Sequence, residues 1–274
     1  MSAKSLFRTC FVLFCILGRG PVANATIPQF TDADIEHPAS PTQDTKDNFQ
    51  RSLSGLYAIP SFRAASVNQP FTDIDTLYQH AEPAQHELQQ LLTQVSLHTT
   101  TLPILPGVKS KERAAYKIAT ELNGHPELLT DIARGTLVAD NIASLVDAYS
   151  LLSREATVLE TKNRFKTPAA SGYRDLKMLV QLPQTGIIAE IQLHLNAIAD
   201  IKSGPEHDIY ANIQQIERTA QAEQRVLNDI ERATITQLRN QSQEMYQHAW
   251  HQYLNPSLAP VSPAPNEELL ALAS

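Results

Sequence analysis

The sequence predicts an α+β fold: a small mixed β-sheet with flanking helices and a long C-terminal helix. Three observations predict it. Strand-like apolar runs are confined to residues 131–195, with a single helical stretch among them. Helix-period apolar residues precede that block, from 73 to 122. From His207 to Asn255 the chain has neither glycine nor proline.

The chain opens with Lys4 and Arg8, then the apolar run "TCFVLFCILG", then "VANA". A basic start, a run too short to span a bilayer and an A-x-A site at Ala23 and Ala25 read as a signal peptide cleaved after Ala25. The expected location is therefore exported, periplasmic or secreted, with delivery to a target cell one route to a substrate. Both cysteines, Cys10 and Cys15, fall in residues 1–25. The mature chain is expected to have no disulfide, thiol nucleophile or cysteine metal site. Cleavage also removes Lys4, Arg8 and Arg19 but no acid, leaving 19 basic against 29 acidic residues, a net charge of −10. A body this acidic is not expected to bind nucleic acid or an anionic membrane non-specifically, so phosphate binding must come from a local cluster.

Residues 26–72 are rich in Pro, Ser, Thr, Asp and Asn without a sustained period, and read as an extended, irregular arm. One domain is expected over 73–255. Residues 73–98 are helical with a break at Pro83, carrying Ala84, Leu88, Leu91, Leu92 and Val95 at helical spacing. "TTTLPILPG" is a loop, and a helix follows over 110–122. "DIARGTLVA" is a strand, 141–153 a helix and "ATVLETKNRF" a second strand. Residues 172–195 form a hairpin. The stretch from 207 to 255 is one long helix, or two end to end, whose apolar spacing leaves self-association through it an open expectation. Residues 256–274, rich in proline, are expected to be disordered.

The hairpin carries an unusual face. A two-residue turn at Gln184 and Thr185 pairs Pro183 with Gly186, unless Gly186 bulges. Leu179 then opposes Glu190, Lys177 opposes Gln192 and Asp175 opposes His194, all on one face. Met178, Val180, Ile191 and Leu193 lie on the other. A solvated sheet face is the ordinary reading of such a pattern. Two basic clusters weigh against it. Lys109, Arg113 and Lys117 fall at i, i+4 and i+8 of a helix, and Lys162, Arg164 and Lys166 alternate along a strand. In so acidic a chain, basic stripes near a carboxylate-bearing sheet suggest a polyphosphate site, with carboxylates holding the Mg²⁺ that bridges phosphates. Asp131, with Arg134 three residues on, is a candidate second carboxylate. His207-Asp208 is an isolated dipeptide, and HExxH, GxSxG and the phosphate-binding P-loop are all lacking.

In order, "KSKERAAYKI", "DIARGT", "KNRFKTPAASGYRDL", "IIAEIQLHL" and "EHDIY" resemble the RelA/SpoT-like nucleotidyltransferase domain, the synthetase of guanosine tetra- and pentaphosphate, across roughly residues 73–215. The most specific piece is GY with EIQ: Tyr173 and Glu190-Ile191-Gln192. The resemblance implies a nucleotidyltransferase-like fold that moves the β,γ-pyrophosphate of ATP onto a ribose 3′-hydroxyl. It implies Asp131 and Glu190 as catalytic, Mg²⁺-holding carboxylates, with Glu190 helping to activate the acceptor. Lys109, Arg113, Lys117, Arg134, Lys162 and Arg164 would grip the donor ATP. Tyr173, Lys177, Gln192 and His194 would form the acceptor side, with Tyr173 stacking on its base. The family usually has serine and histidine after GY, where Asp175 and Lys177 stand here. It usually has lysine and asparagine in the preceding loop, where Ala169 and Ser171 stand. The donor and metal side is thus better kept than the acceptor side, which leaves GTP or GDP, an adenine nucleotide or an RNA 3′ end open as acceptor. The leading expectation is an exported pyrophosphokinase acting as a toxin or effector. The alternative is a non-catalytic nucleotide- or protein-binding module reusing the fold.

Overall fold

The computed structural model describes residues 43–254. The signal-peptide reading, the part of the arm before residue 43 and the proline-rich tail lie outside the described residues. The core is a six-stranded mixed sheet: β1 (Phe62–Arg63), β2 (Thr101–Ile104), β3 (Ala133–Ala139), β4 (Thr157–Asn163), β5 (Leu176–Gln181) and β6 (Ile188–Leu195), in the order β1-β4-β5-β6-β3-β2. The β3–β6 pair is parallel and every other pair antiparallel. The α+β class expected from the sequence is the one observed.

The hairpin register follows the alternation, with Leu179 opposite Glu190 and Lys177 opposite Gln192. The turn is wider than expected. Leu182 N–H donates to the Ile187 carbonyl, and Gly186, at φ +69°, donates back to the Leu182 carbonyl. Pro183 has no N–H to close a tighter turn. The buried Glu87 carboxylate fixes the loop instead, accepting from Gln184 N (2.7 Å), Thr185 N (2.9 Å) and Thr185 Oγ1 (2.7 Å).

Glu87 belongs to α3 (Ala81–Thr99), which follows α2 (Ile74–Gln79). The break between them falls at His80 rather than at Pro83, which sits in the first turn of α3, where a missing N–H is harmless. Leu88, Leu92 and Val95 of α3 pack on the apolar sheet face with Met178, Val180, Ile191 and Leu193. Gly135 makes this approach feasible, since a Cβ there would lie 2.3 Å from Leu92 Cδ1. Helix α4 (Lys111–Thr120) is N-capped by Ser110, and α5 (Ile142–Glu155) by Asn141.

Three expectations are corrected. Residues 43–58, read as irregular arm, form helix α1 (Gln43–Ala58). Its Phe49, Leu53, Leu56 and Tyr57 face the core, and Asn163 Nδ2 donates to the carbonyls of Leu56 (2.8 Å), in its last turn, and Ile59 (3.1 Å), just beyond it. The polar composition masks that stripe. "TTTLPILPG" contains edge strand β2, where Pro103 is tolerated. The stretch expected as one long helix, or two end to end, holds two helices that do not run end to end, α7 (Pro205–Ala222) and α8 (Asp229–Leu254), and a short α6 (Asn196–Ser203) precedes them. Helices α7 and α8 fold back on each other, joined by Ser242 to Glu206 and Arg239 to Glu217. Asn228 and Glu231 form a reciprocal capping box that starts α8, and Arg225 clamps Glu223 and Glu231 across the bend. Ile213, Ala220 and Ile235 are buried.

Candidate active site

The first group of side chains gathers where the chain enters β3. Asp131, almost fully buried, precedes that strand. Its Oδ2 accepts from Lys109 Nζ at 2.7 Å and Lys117 Nζ at 2.9 Å. Its Oδ1 is buried without a hydrogen-bond partner among the described residues. Burial pushes the Asp131 carboxyl up, but the two ammonium groups outweigh it and hold the carboxyl below its ordinary range. Tyr78 O–H donates to the Lys109 carbonyl at 2.6 Å and fixes that backbone. The helical stripe expected here is corrected: Lys109 precedes the Ser110 cap, so it meets Lys117 at Asp131 from outside the helix. Arg113 lies on α4, exposed, with no ion pair among the described residues.

The second group spans the polar sheet face. Register places Arg134 of β3 beside Glu190 of β6, and Lys162 of β4, Lys177 of β5, Gln192 of β6 and Thr136 of β3 in one row. Glu190 pairs with Lys177 at 3.0 Å and accepts from Gln192 Nε2 at 3.1 Å. Arg134 Nε is buried without a hydrogen-bond partner among the described residues. Asp131 lies before the start of β3 and Glu190 in the first half of the parallel strand β6. Lys162 is exposed on the same face.

The third group closes the far end of that face. Tyr173 O–H donates to Asp175 Oδ2 at 2.8 Å and lies 2.6 Å from His194 Nε2. Arg164 donates to Asp175 Oδ1 at 2.5 Å and stands 5.6 Å from the Tyr173 ring centroid. Asp175 is 0% exposed and His194 2%, so this face is not the wet surface of an ordinary antiparallel sheet. Burial, then the charges of Lys202 and Arg164, pulls the His194 pKa down to about 3, so the ring is neutral. With the tyrosine proton given to Asp175, we assign His194 the tautomer that donates from Nε2 to the Tyr173 oxygen. Burial pushes the Asp175 carboxyl up, against the pull of Arg164 and Tyr173.

Arg164 was expected in a strand stripe with Lys162 and Lys166, but β4 ends at Asn163. Asn163 Oδ1 then accepts from Phe165 N and Lys166 N, turning the chain and aiming Arg164 at Asp175. Gly172 supplies the other hinge, at φ +82° with a would-be Cβ only 3.0 Å from Gln243 Cα. That close seating brings the Tyr173 ring edge-on to Tyr246 of α8. Tyr173 is half-buried among Arg164, His194 and Tyr246 rather than displayed as an open stacking platform.

Sequence reasoning missed Lys202, whose Nζ donates to Gln192 Oε1 at 2.6 Å. Its one signal is helical spacing, one turn beyond the buried Ile198. It also missed Glu206, which accepts from Ser242 and Tyr246 beneath the same helices.

No family model and no curated protein matches the chain. Among solved structures it is similar to small alarmone synthetase 2 from Bacillus subtilis, at 20% identity and TM-score 0.49, over 65% of this chain and 94% of that one. It is similar to the Type VI effector Tas1, solved with its immunity protein, at 19% identity and TM-score 0.49, over 65% and 96%. It is also similar to small alarmone synthetase 1 from Bacillus subtilis bound to its product pppGpp, at 15% identity and TM-score 0.45, over 66% and 94%.

No group of three or more His, Cys, Asp or Glu able to hold a metal is present among the described residues. Mg²⁺, however, commonly takes one or two carboxylates and completes its shell with water and substrate phosphates. An ionised Asp131 with a bare, buried Oδ1 fits that partial set.

Proposed function

We propose that this chain is an exported pyrophosphokinase of the RelA/SpoT type. It transfers the β,γ-pyrophosphate of ATP to the ribose 3′-hydroxyl of an acceptor, and acts as an effector inside another cell. The observation that carries the reading is Asp131: a buried, ionised carboxylate with one oxygen bare and the other shared by two lysines. Such a group offers a metal contact, and offers two ammonium groups to phosphate oxygens, in the same few ångströms.

In this reading Lys109, Lys117 and Arg134 bind the ATP phosphates. Asp131, with Glu190 from the neighbouring strand, holds Mg²⁺, which when bound neutralises phosphate charge. The acceptor 3′-oxygen attacks the β-phosphorus, the bond from that phosphorus to the α,β-bridging oxygen breaks, and AMP leaves with the electron pair. Glu190 takes the hydroxyl proton. Lys177, 3.0 Å from Glu190, keeps the carboxylate in place on the face. No covalent intermediate is required, so positioning and charge neutralisation suffice.

A second reading, a non-catalytic nucleotide- or protein-binding module, is favoured by one observation. The acceptor side is internally satisfied, with Tyr173, Asp175, His194 and Arg164 bonded to one another. One experiment separates the two: incubation of the mature protein with γ-labelled ATP, Mg²⁺ and a panel of GDP, GTP, ADP, ATP and short RNA. Label moved to an acceptor supports the pyrophosphokinase. Binding of Mg-ATP without any transfer supports the module.

A further inference from the structure

Glu190 lies within β6, whereas Asp131 precedes β3, and the β3–β6 ladder starts only at Ala133 opposite Ala189. Strand pairing alone therefore does not set the spacing of the two carboxylates. A buried side chain bridges the gap. Gln69, 4% exposed, stands between the two segments. Its Nε2 donates to the Leu129 carbonyl at 2.8 Å and to the Ile188 carbonyl at 2.9 Å, and its Oε1 accepts from Ile188 N at 2.9 Å. Leu129 is two residues before Asp131, and Ile188 is two residues before Glu190. Both donors and the acceptor of one amide thus join the backbones that lead into the two acids.

Gln69 is itself anchored. Its N–H donates to the Glu127 carbonyl at 2.7 Å. Val67 packs with Leu179 and Ile188, and Ala64 N–H donates to the Leu159 carbonyl at 2.7 Å. Residues 64–69 therefore cross the sheet from β4, over β5 and β6, to the approach to β3. A fully bonded buried amide stabilises any fold. The distinguishing feature here is placement, since its bonds fall at the same sequence distance before each acid. Mg²⁺ demands a near-octahedral shell with short bonds, so two carboxylates that share it tolerate little change in their separation.

We propose that Gln69 is a positioning residue that sets the separation of Asp131 and Glu190, and through it the affinity of this face for nucleotide-borne Mg²⁺. This rests on the metal-holding role of those carboxylates given above.

The test uses wild type, Gln69→Met, Gln69→Asn and a destabilised control, Ile235→Ala, in the α7–α8 hairpin. Gln69→Met keeps the length without the bonds; Gln69→Asn keeps the amide but is one methylene too short to hold both backbones. Calorimetry measures ATP binding in EDTA and in Mg²⁺, and transfer is followed against Mg²⁺ concentration. Residues that orient a metal's ligands typically change its affinity by about 10–100-fold. Both Gln69 variants should therefore lose about tenfold or more of the gain in ATP affinity that Mg²⁺ gives wild type, and need correspondingly more Mg²⁺ for half-maximal transfer. ATP binding in EDTA, through the lysines and Arg134, stays unchanged, and Ile235→Ala keeps the full gain despite its lower Tm. The proposal is overturned if the Gln69 variants keep the gain, lose ATP binding equally with and without Mg²⁺, or are both unfolded. It is also overturned if Ile235→Ala loses the gain too. If wild type transfers pyrophosphate and the Gln69 variants match it in Mg²⁺ dependence, this proposal fails and the pyrophosphokinase stands. If the gain depends on Gln69 and nothing is transferred, the reverse holds. No gain from Mg²⁺ in wild type overturns both this proposal and the metal-holding role.

Discussion

Asp131→Asn perturbs stability and chemistry through the same atoms. The substitution keeps the shape of the side chain and removes the charge on which Lys109 and Lys117 converge. Asp131 and Lys109 are about one-tenth exposed as side chains, at 12% and 11%, and Lys117 keeps 26%. Breaking a fully buried pair costs about 3–5 kcal/mol, and an exposed pair contributes about 1 or less. With two lysines left facing an amide but partly hydrated, the expected loss is about 2 kcal/mol, or about 4–8 °C in Tm for a domain of this size. The pH dependence has a definite sign. The folded pKa of Asp131 lies below its unfolded value, so its stabilisation is complete above about pH 4 and is lost as pH falls through the folded value. Thermal melts followed by circular dichroism should show wild type above Asp131→Asn at pH 7, with the gap closing in acid. Transfer should be abolished at every pH. Equal stability of the two proteins at pH 7 would refute the claim that this carboxylate anchors both lysines.

Glu190→Gln should instead separate the two effects: its partner Lys177 is 21% exposed and Glu190 itself 18%, so stability falls by about 1 kcal/mol or less while label transfer is lost, as melts and the transfer assay on one preparation will show. Gly172→Ala should destabilise by about 2 kcal/mol or more in urea titrations, because φ +82° disfavours an L side chain and the new methyl meets the Gln243 backbone; a neutral result would remove the seating of Tyr173 on α8 from the account. His194, with a folded pKa of about 3, contributes stability that is full above its unfolded value near 6.5 and lost as pH falls toward 3. Urea midpoints of wild type and His194→Gln between pH 7 and pH 4 should therefore converge in acid; parallel curves would mean that the ring is not held neutral.

The sequence made the hairpin legible, because strict alternation across a short loop leaves little freedom in register. It brought Glu190, Gln192 and His194 into view for the same reason: polar residues at strand spacing stand out against an apolar background; Asp131 stood out only by its place before a strand and by the "DIARGT" resemblance. Helix α1 was hidden because its four core-facing positions sit among Gln, Asp, Lys, Asn and Ser. The bend between α7 and α8 was written in "NDIE", a capping-box pattern, but the absence of Gly and Pro outweighed it in reading the stretch as continuous. Arg164 was placed in a strand stripe because alternation does not reveal where a strand ends, and Asn163 ends it through side-chain bonds to the next two amides. Lys202 has no local signature, since a lysine in the last turn of a helix ordinarily complements the helix dipole and faces water. Only the packing of α6 against the sheet turns it toward Gln192.

The central claim is that Asp131 and the sheet face bearing Glu190 together move pyrophosphate, and product stoichiometry tests it most directly. The mature protein is incubated with Mg²⁺, ATP and each candidate acceptor, and AMP and the modified acceptor are quantified by mass spectrometry. The account predicts AMP and a 3′-pyrophosphorylated acceptor in equal amounts from wild type, and neither from Glu190→Gln. AMP without modified acceptor, or equal yields from both proteins, would contradict it.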